Sequence, residues 1–328
     1  MRELTPALCE AVTGRFDAAM VLERLYRRNL FLTAIPDQEA RAGTGLSFRY
    51  HVLFAEFLSR TLDLEQPGRA SELHQRAAAA CEESKPIQAI THYLAAGMWH
   101  EAAGTLERIG ERLLRQGLLD SLQSWITALP AEVRVGRPRL AWILGICRLS
   151  RRDVPAAHRH LREALHGFEA AGDELGQGDA LAYLAQAAFM QADFDQGCEL
   201  TGRALSHPVQ SRTRVQLLVE RARMSQWQDE PIQARWDLKV AFEICDNSGD
   251  VEVLSALVAG FLPGLAAFPG FLERWERAGR ATAALLDDSL LPLRAALDVQ
   301  EAFVHLYRGR LDQAQEAGER ALALGERF

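Results

Sequence analysis

The sequence predicts a mainly α-helical protein. A tetratricopeptide-like superhelix of helical hairpins over residues 136–328 is preceded by a helical arm over 68–135 and a small winged-helix-like module over 1–67. Three observations predict this. The strings REALHGFEAAGD, TGRALSHP, KVAFEICDNSGD, GRATAALLDDS and ERALALGERF are one recurring helix, with Ala164, Ala204, Ala241, Ala281 and Ala321 at the same point and gaps of 40, 37, 40 and 40 residues. Such a period marks stacked helical hairpins. Seven residues ahead of those alanines stand Ala157, Gly197, Ala234, Arg274 and Ala314, small in four of five cases, as close helix packing requires. Residues 1–67 differ, because short helical patterns there alternate with β-type runs.

Taken in order, ALCEAVTG is a short helix, and Asp17 is placed to cap the next, AAMVLERLYRRN, with Met20, Val21 and Leu25 apolar. NLFLTAI and LSFRYH read as strands joined by PDQEARAGTG, whose Pro, Asp and Gly suit a hairpin loop. HVLFAEFLSRTL follows as a helix with Leu53, Phe54, Phe57 and Leu58 on one side. Gln66-Pro67-Gly68 breaks the chain, and helices run from there to the end, punctuated at Lys85-Pro86, Ala96-Gly97, Gln116-Gly117 and Leu129-Pro130. Counted from Pro138, small residues fall at places eight, twenty and twenty-seven: Gly145, Ala157 and Ala164. The same places hold Ala185, Gly197 and Ala204, then Ala222, Ala234 and Ala241, and finally Ala302, Ala314 and Ala321. The fourth hairpin fits least, with Leu262 and Arg274 at its first two places. The array stops at Phe328 without a polar capping helix, which reads as a piece of something longer.

A net charge of −7 argues against wrapping nucleic acid unaided, and the only lysines are Lys85 and Lys239. Five scattered cysteines read as small core residues in a reducing cytoplasm. The uncharged stretch Val253 to Leu272 is long enough to cross a bilayer. Pro263 and Pro269 break it, its flanks Glu252 and Glu273 are acidic, and the repeat calls for a buried helix there, so no membrane span is expected.

Catalytic signals are sparse. Neither lysine sits in a phosphate-binding loop, and Gly43-Thr44-Gly45 reads as part of the hairpin loop. Metal-site spacings are lacking, and His158 and His160, two apart on a helix, face different directions. Asp287-Asp288 reads as a helix end or loop. No catalytic or metal-ligating residue is therefore expected, and no cofactor for this chain. A superhelix offers a concave binding face instead. The register places Trp142, Gln186, Arg223, Gln226, Trp227 and Tyr307 on it, with Arg223, Gln226 and Trp227 as the best cluster: fixed donors beside an aromatic surface. Packing between repeats is the alternative reading of each.

LCEAVTGR (Leu8 to Arg15), LYRRNLFL (Leu25 to Leu32) and FRYHVLFAEFL (Phe48 to Leu58) resemble the end of the ATPase module in MalT-like transcriptional regulators of the LuxR class, which are signal-transduction ATPases with numerous domains. ELHQRAAAACEES, AITHYLAAGMWHEAAGTLERIGERLLRQG and WITALPAEVRVGRPRL are similar to the arm and sensor entry of such proteins, so matched segments cover about residues 4–172. The resemblance implies an ATPase core, winged helix, arm, superhelical sensor and C-terminal helix-turn-helix in order. An inducer binds the sensor, ADP gives way to ATP, and the protein self-associates on promoter DNA. Neither the ATPase core nor the helix-turn-helix is in these residues, so ATP, ADP and DNA contact are implied for a parent protein. YHVLF (Tyr50 to Phe54) is similar to a winged-helix histidine motif, which makes His51 a nucleotide-sensing residue reaching the β-phosphate of ADP. Val52 stands where that motif commonly has an acid, and a satisfied structural histidine is the other reading. The function implied is inducer sensing and autoinhibition, with a small-molecule inducer as partner. The alternative is a protein-binding scaffold.

Overall fold

The computed structural model describes residues 4–36, 46–259, 263–286 and 290–326. It divides into two compact units, Met1–Ile109 with Thr127–Val133, and Gly110–Ile126 with Arg134–Phe328.

In the first unit, α1 (Pro6–Thr13) starts where the Thr5 hydroxyl accepts from the Leu8 amide at 3.2 Å, and it ends at Gly14, whose φ of 72° closes the helix left-handed. α2 (Ala18–Arg27) begins after Asp17, but that carboxylate gives no cap. It takes both Arg15 nitrogens instead, at 2.9 and 2.7 Å. The expected side-chain cap therefore loses to a bidentate ion pair, the stronger charge-assisted bond. β1 (Leu32–Pro36) and β2 (Leu46–Tyr50) pair antiparallel with Ala34 opposite Phe48, and Leu4 bridges to Phe48 from the other side. The PDQEARAGTG loop, with Gly43-Thr44-Gly45, lies outside the described residues. Leu22, Leu32 and Phe48 form the small core of this module.

α3 (Val52–Glu65) buries none of its residues fully. Phe54 packs on Phe31 at 4.7 Å and on Tyr50 at 5.6 Å, whereas the remaining apolar side chains of its expected core face are exposed. α4 (Arg69–Cys81) and α5 (Pro86–Ala96) then pair through Ala77, Ala78, Ala89 and Ile90, all inaccessible to solvent. α6 (Trp99–Arg115), α7 (Leu119–Ala128) and the single turn α8 (Ala131–Arg134) follow.

The second unit stacks five hairpins: α9 and α10 (Pro138–Ser150, Val154–Ala171), α11 and α12 (Glu174–Met190, Phe194–Leu205), α13 and α14 (Ser211–Trp227, Pro231–Asp246), α15 and α16 (Val251–Ala259, Phe271–Leu285), and α17 and α18 (Leu291–Tyr307, Leu311–Gly325). Asp153, Asp173 and Asp193 each cap the next helix through a carboxylate bond to a backbone amide. Most of the repeated small residues do what the period demands, but Ala281 is exposed and the neighbouring Thr282 is buried instead. Ala157, Ala164, Ala204, Ala222, Ala234 and Ala241 are fully buried, and a Cβ on Gly145 would meet the Leu161 side chain at 2.6 Å. The fourth hairpin departs as its sequence does. A 3-10 turn at Pro263–Ala267 interrupts it, Arg274 turns to Asp246 at 3.7 Å, and Trp275 fills the core. Leu262 and Asp287-Asp288 lie outside the described residues. No helix among the described residues is long and apolar enough to cross a membrane.

Candidate ligand cavity

The first helices of the hairpins enclose a cavity of about 400 Å³ within the second unit. α13 shows why they do so. Val215, Leu217, Leu218, Val219, Ala222 and Met224 are buried around most of its circumference, because hairpins pack on both sides. One polar stripe of the helix faces the cavity: Arg212, Gln216 and Glu220, spaced four apart and hence aligned on one face. All three line the cavity, with Tyr183 and Gln186 from α11 and Arg115 from α6. Ile146, Ala256 and Leu293 supply apolar wall.

The ionic lining is mostly paired. Arg115 reaches Glu111 at 3.2 Å and Glu252 at 3.2 Å, and Glu111 also takes Arg139 at 3.0 Å. Glu220 pairs with Arg223 at 3.0 Å, both nearly out of solvent, yet its Oε2 has no hydrogen-bond partner. Burial pushes the Glu220 carboxyl up against the opposing pull of Arg223. Asp179, behind the wall, is raised to about 6 by burial, although the Thr213 hydroxyl donates to it at 3.1 Å. Tyr183 packs edge-on against Trp142 at 5.7 Å, and burial raises its phenol. Arg212 and the amides of Gln186 and Gln216 line the cavity without a hydrogen bond or ion pair to another described residue.

Of the residues singled out from the register, Gln186 lines the cavity and Trp142 backs it through Tyr183. Arg223 is buried, with its guanidinium 3.7 Å from the centre of the Phe189 ring; its Nη1 donates to Glu220, and its Nε is buried without a hydrogen-bond partner. Phe189 contacts Phe194, and Phe194 stacks on the exposed Trp227 at 6.1 Å, so Arg223 and Trp227 belong to one aromatic row. Gln226 is half-buried and engaged, and neither it nor the half-exposed Tyr307 lines the cavity. In the first unit His51 is exposed at the start of α3. Its backbone carbonyl accepts from Phe54 and Ala55, and its ring makes no hydrogen bond among the described residues. His158 accepts from Arg162 at 3.2 Å while His160 faces Glu163, and no group of three metal-ligating side chains occurs among the described residues.

Sequence reasoning missed Arg115, Tyr183, Arg212, Gln216, Glu220 and Glu252. The four-residue spacing of Arg212, Gln216 and Glu220, between the apolar runs of α13, is the signal that could have found half of them.

The first unit thus carries a small winged-helix-like module with His51 exposed, and the second a hairpin superhelix holding a polar cavity. Residues 1–70 match the family model of the MalT winged helix domain. The chain is 31% identical over 200 residues to the HTH-type transcriptional regulator MalT of Vibrio parahaemolyticus, covering 60% of this chain and 22% of that protein. It is 30% identical over 210 residues to MalT of Vibrio cholerae, covering 61% and 22%, and 30% identical over 211 residues to MalT of Vibrio campbellii, covering 62% and 23%. The chain is MalT-like, with a MalT winged helix at its start, and it spans under a quarter of the length of these relatives.

Proposed function

We propose that this chain is the ligand-sensing and autoinhibitory region of a MalT-like transcriptional regulator. A small ligand enters the cavity between the first helices and favours one curvature of the superhelix. Its differential affinity for two curvatures is the free energy that drives the switch. His51, exposed between β2 and α3, contacts the phosphates of ADP bound to the parent's ATPase module and holds the resting state. ATP, promoter DNA and self-association belong to that longer protein. The observation that carries this reading is a cavity of ligand size in which Arg212, Gln186 and Gln216 have no partner among the described residues, in a chain that also carries a MalT winged helix.

The test is thermal melting of the 328-residue chain with small metabolites, beside Gln216→Trp, which fills the cavity. A ligand at a hundred times its Kd adds about 2.7 kcal/mol to the stability of the unit it binds. The expected result is a melting temperature raised by ligand for the unsubstituted 328-residue chain and unchanged for the filled variant. A second reading, a scaffold for a protein partner, is favoured by the exposed Trp227, Ile232 and Trp236. Peptide capture that survives Gln216→Trp, with no metabolite response, would establish that reading instead.

A further inference from the structure

The lining of the cavity narrows what it can hold. Its acids are already answered: Glu252 by Arg115 and Glu220 by Arg223. Arg212 is the exception, a half-buried cation on the wall with no carboxylate in ion-pair range among the described residues. Asp179 feels Arg212 electrostatically but accepts from the Thr213 hydroxyl at 3.1 Å. Arg212 also stands in the first turn of α13, where the helix dipole favours negative charge and where Gln210 supplies no side-chain cap. The Gln186 and Gln216 amides add open N–H donors on the same wall. One acceptor is in excess on the other side of the account, because the Glu220 Oε2 is buried without a donor. Buried polar atoms are seldom left so, and a ligand hydroxyl is the donor that would complete this one.

We propose that the cavity takes a hydroxylated organic anion, whose phosphate or carboxylate is anchored by Arg212 and whose hydroxyl groups meet Glu220 and the two glutamines. The carbon skeleton lies on Ile146, Ala256 and Leu293. This rests on the ligand-sensing reading and adds the charge of the ligand to it. Arg212 binds through bidentate charge-assisted hydrogen bonds, which a neutral hydroxyl in the same place cannot match.

Matched probes separate the elements of the proposal: a hexose, its 6-phosphate and its uronic acid, titrated calorimetrically into the full chain and into Arg212→Gln and Arg212→Lys. The expected result is that one or both anions bind at least about tenfold tighter than the hexose. Arg212→Gln should erase that margin, Arg212→Lys should restore part of it, and added salt should shrink it. Which anion binds decides between phosphate and carboxylate. Equal binding of hexose and anions, or an undiminished margin in Arg212→Gln, overturns the anion anchor while leaving a small-ligand sensor in place. Silence from all three probes overturns the inference, and a positive peptide capture alongside it overturns the sensor reading as well.

Discussion

Two helices break the ordinary rule of burial in opposite directions. α3 of the first unit leaves Leu53 69% and Phe57 60% exposed, whereas α13 of the second buries Glu220 to 7% and Arg223 to 9%. Apolar side chains in water cost the first unit nothing in unmet hydrogen bonds, so such a surface is stable but available for docking. Charges out of water are costly, and α13 keeps them only by pairing: Arg223 with Glu220, and Arg221 bidentate with the inaccessible Asp237 at 2.8 Å. The first helix leaves an apolar surface uncovered among the described residues. The second spends folding energy on a polar interior, which marks a place where function rather than stability selects the residues.

The largest expected effect falls on α13. Asp237→Ala strands Arg221 and the Gln233 amide that donates to the same carboxylate, and should cost the second unit about 3–5 kcal/mol in denaturant unfolding. A loss under 1 kcal/mol would mean that the interior there is wet and the contrast with α3 is weaker than drawn. Acid should come next, and it should move the two units in opposite directions. In the first unit, His92 touches His74 at 2.9 Å, and burial with that neighbour holds its pKa down at about 4. An unfolded histidine takes its proton near ~6.5, so the stability His92 contributes is present above that pH and is lost as pH falls toward 4. Asp179 in the second unit has the reverse sign. Its folded pKa of about 6 exceeds the unfolded value of ~3.9, so its contribution is present at low pH and is lost as pH rises through 6. Hydrogen-exchange protection of α4–α5 and α11–α13 peptides between neutral and mildly acid pH reads both. His92→Gln should flatten the first slope, and Asp179→Asn the second. The smallest effect belongs to α3, where Leu53→Ser with Phe57→Ser should shift the stability of this chain by no more than about 0.5 kcal/mol per site. A larger loss would show that α3 is already covered in solution.

Much of this was legible beforehand, for reasons that particular residues make plain. Ala157, Ala164, Ala222 and Ala241 revealed the hairpins because close packing admits only small side chains, and a period written in alanine and glycine survives in one dimension. Gln66-Pro67-Gly68 ended α3 because proline and glycine act locally. The Asp17 cap failed because Arg15 competed for the same carboxylate. Arg223 looked like a free donor, but Phe189 and Glu220 were already there to receive it.

The sequence by itself determined the elements, the repeat and the MalT-like start, since each depends on neighbours a few residues away or on a strict period. Tertiary structure alone decided the cavity. Arg115, Tyr183, Gln216 and Glu252 come from four helices spread over most of the second unit, and only the winding of one hairpin on the next brings them to one wall. Which apolar stripe met a core was decided there as well. α3 is the more apolar of the two in sequence, yet α13 is the one with a buried core face, because neighbouring hairpins cover it.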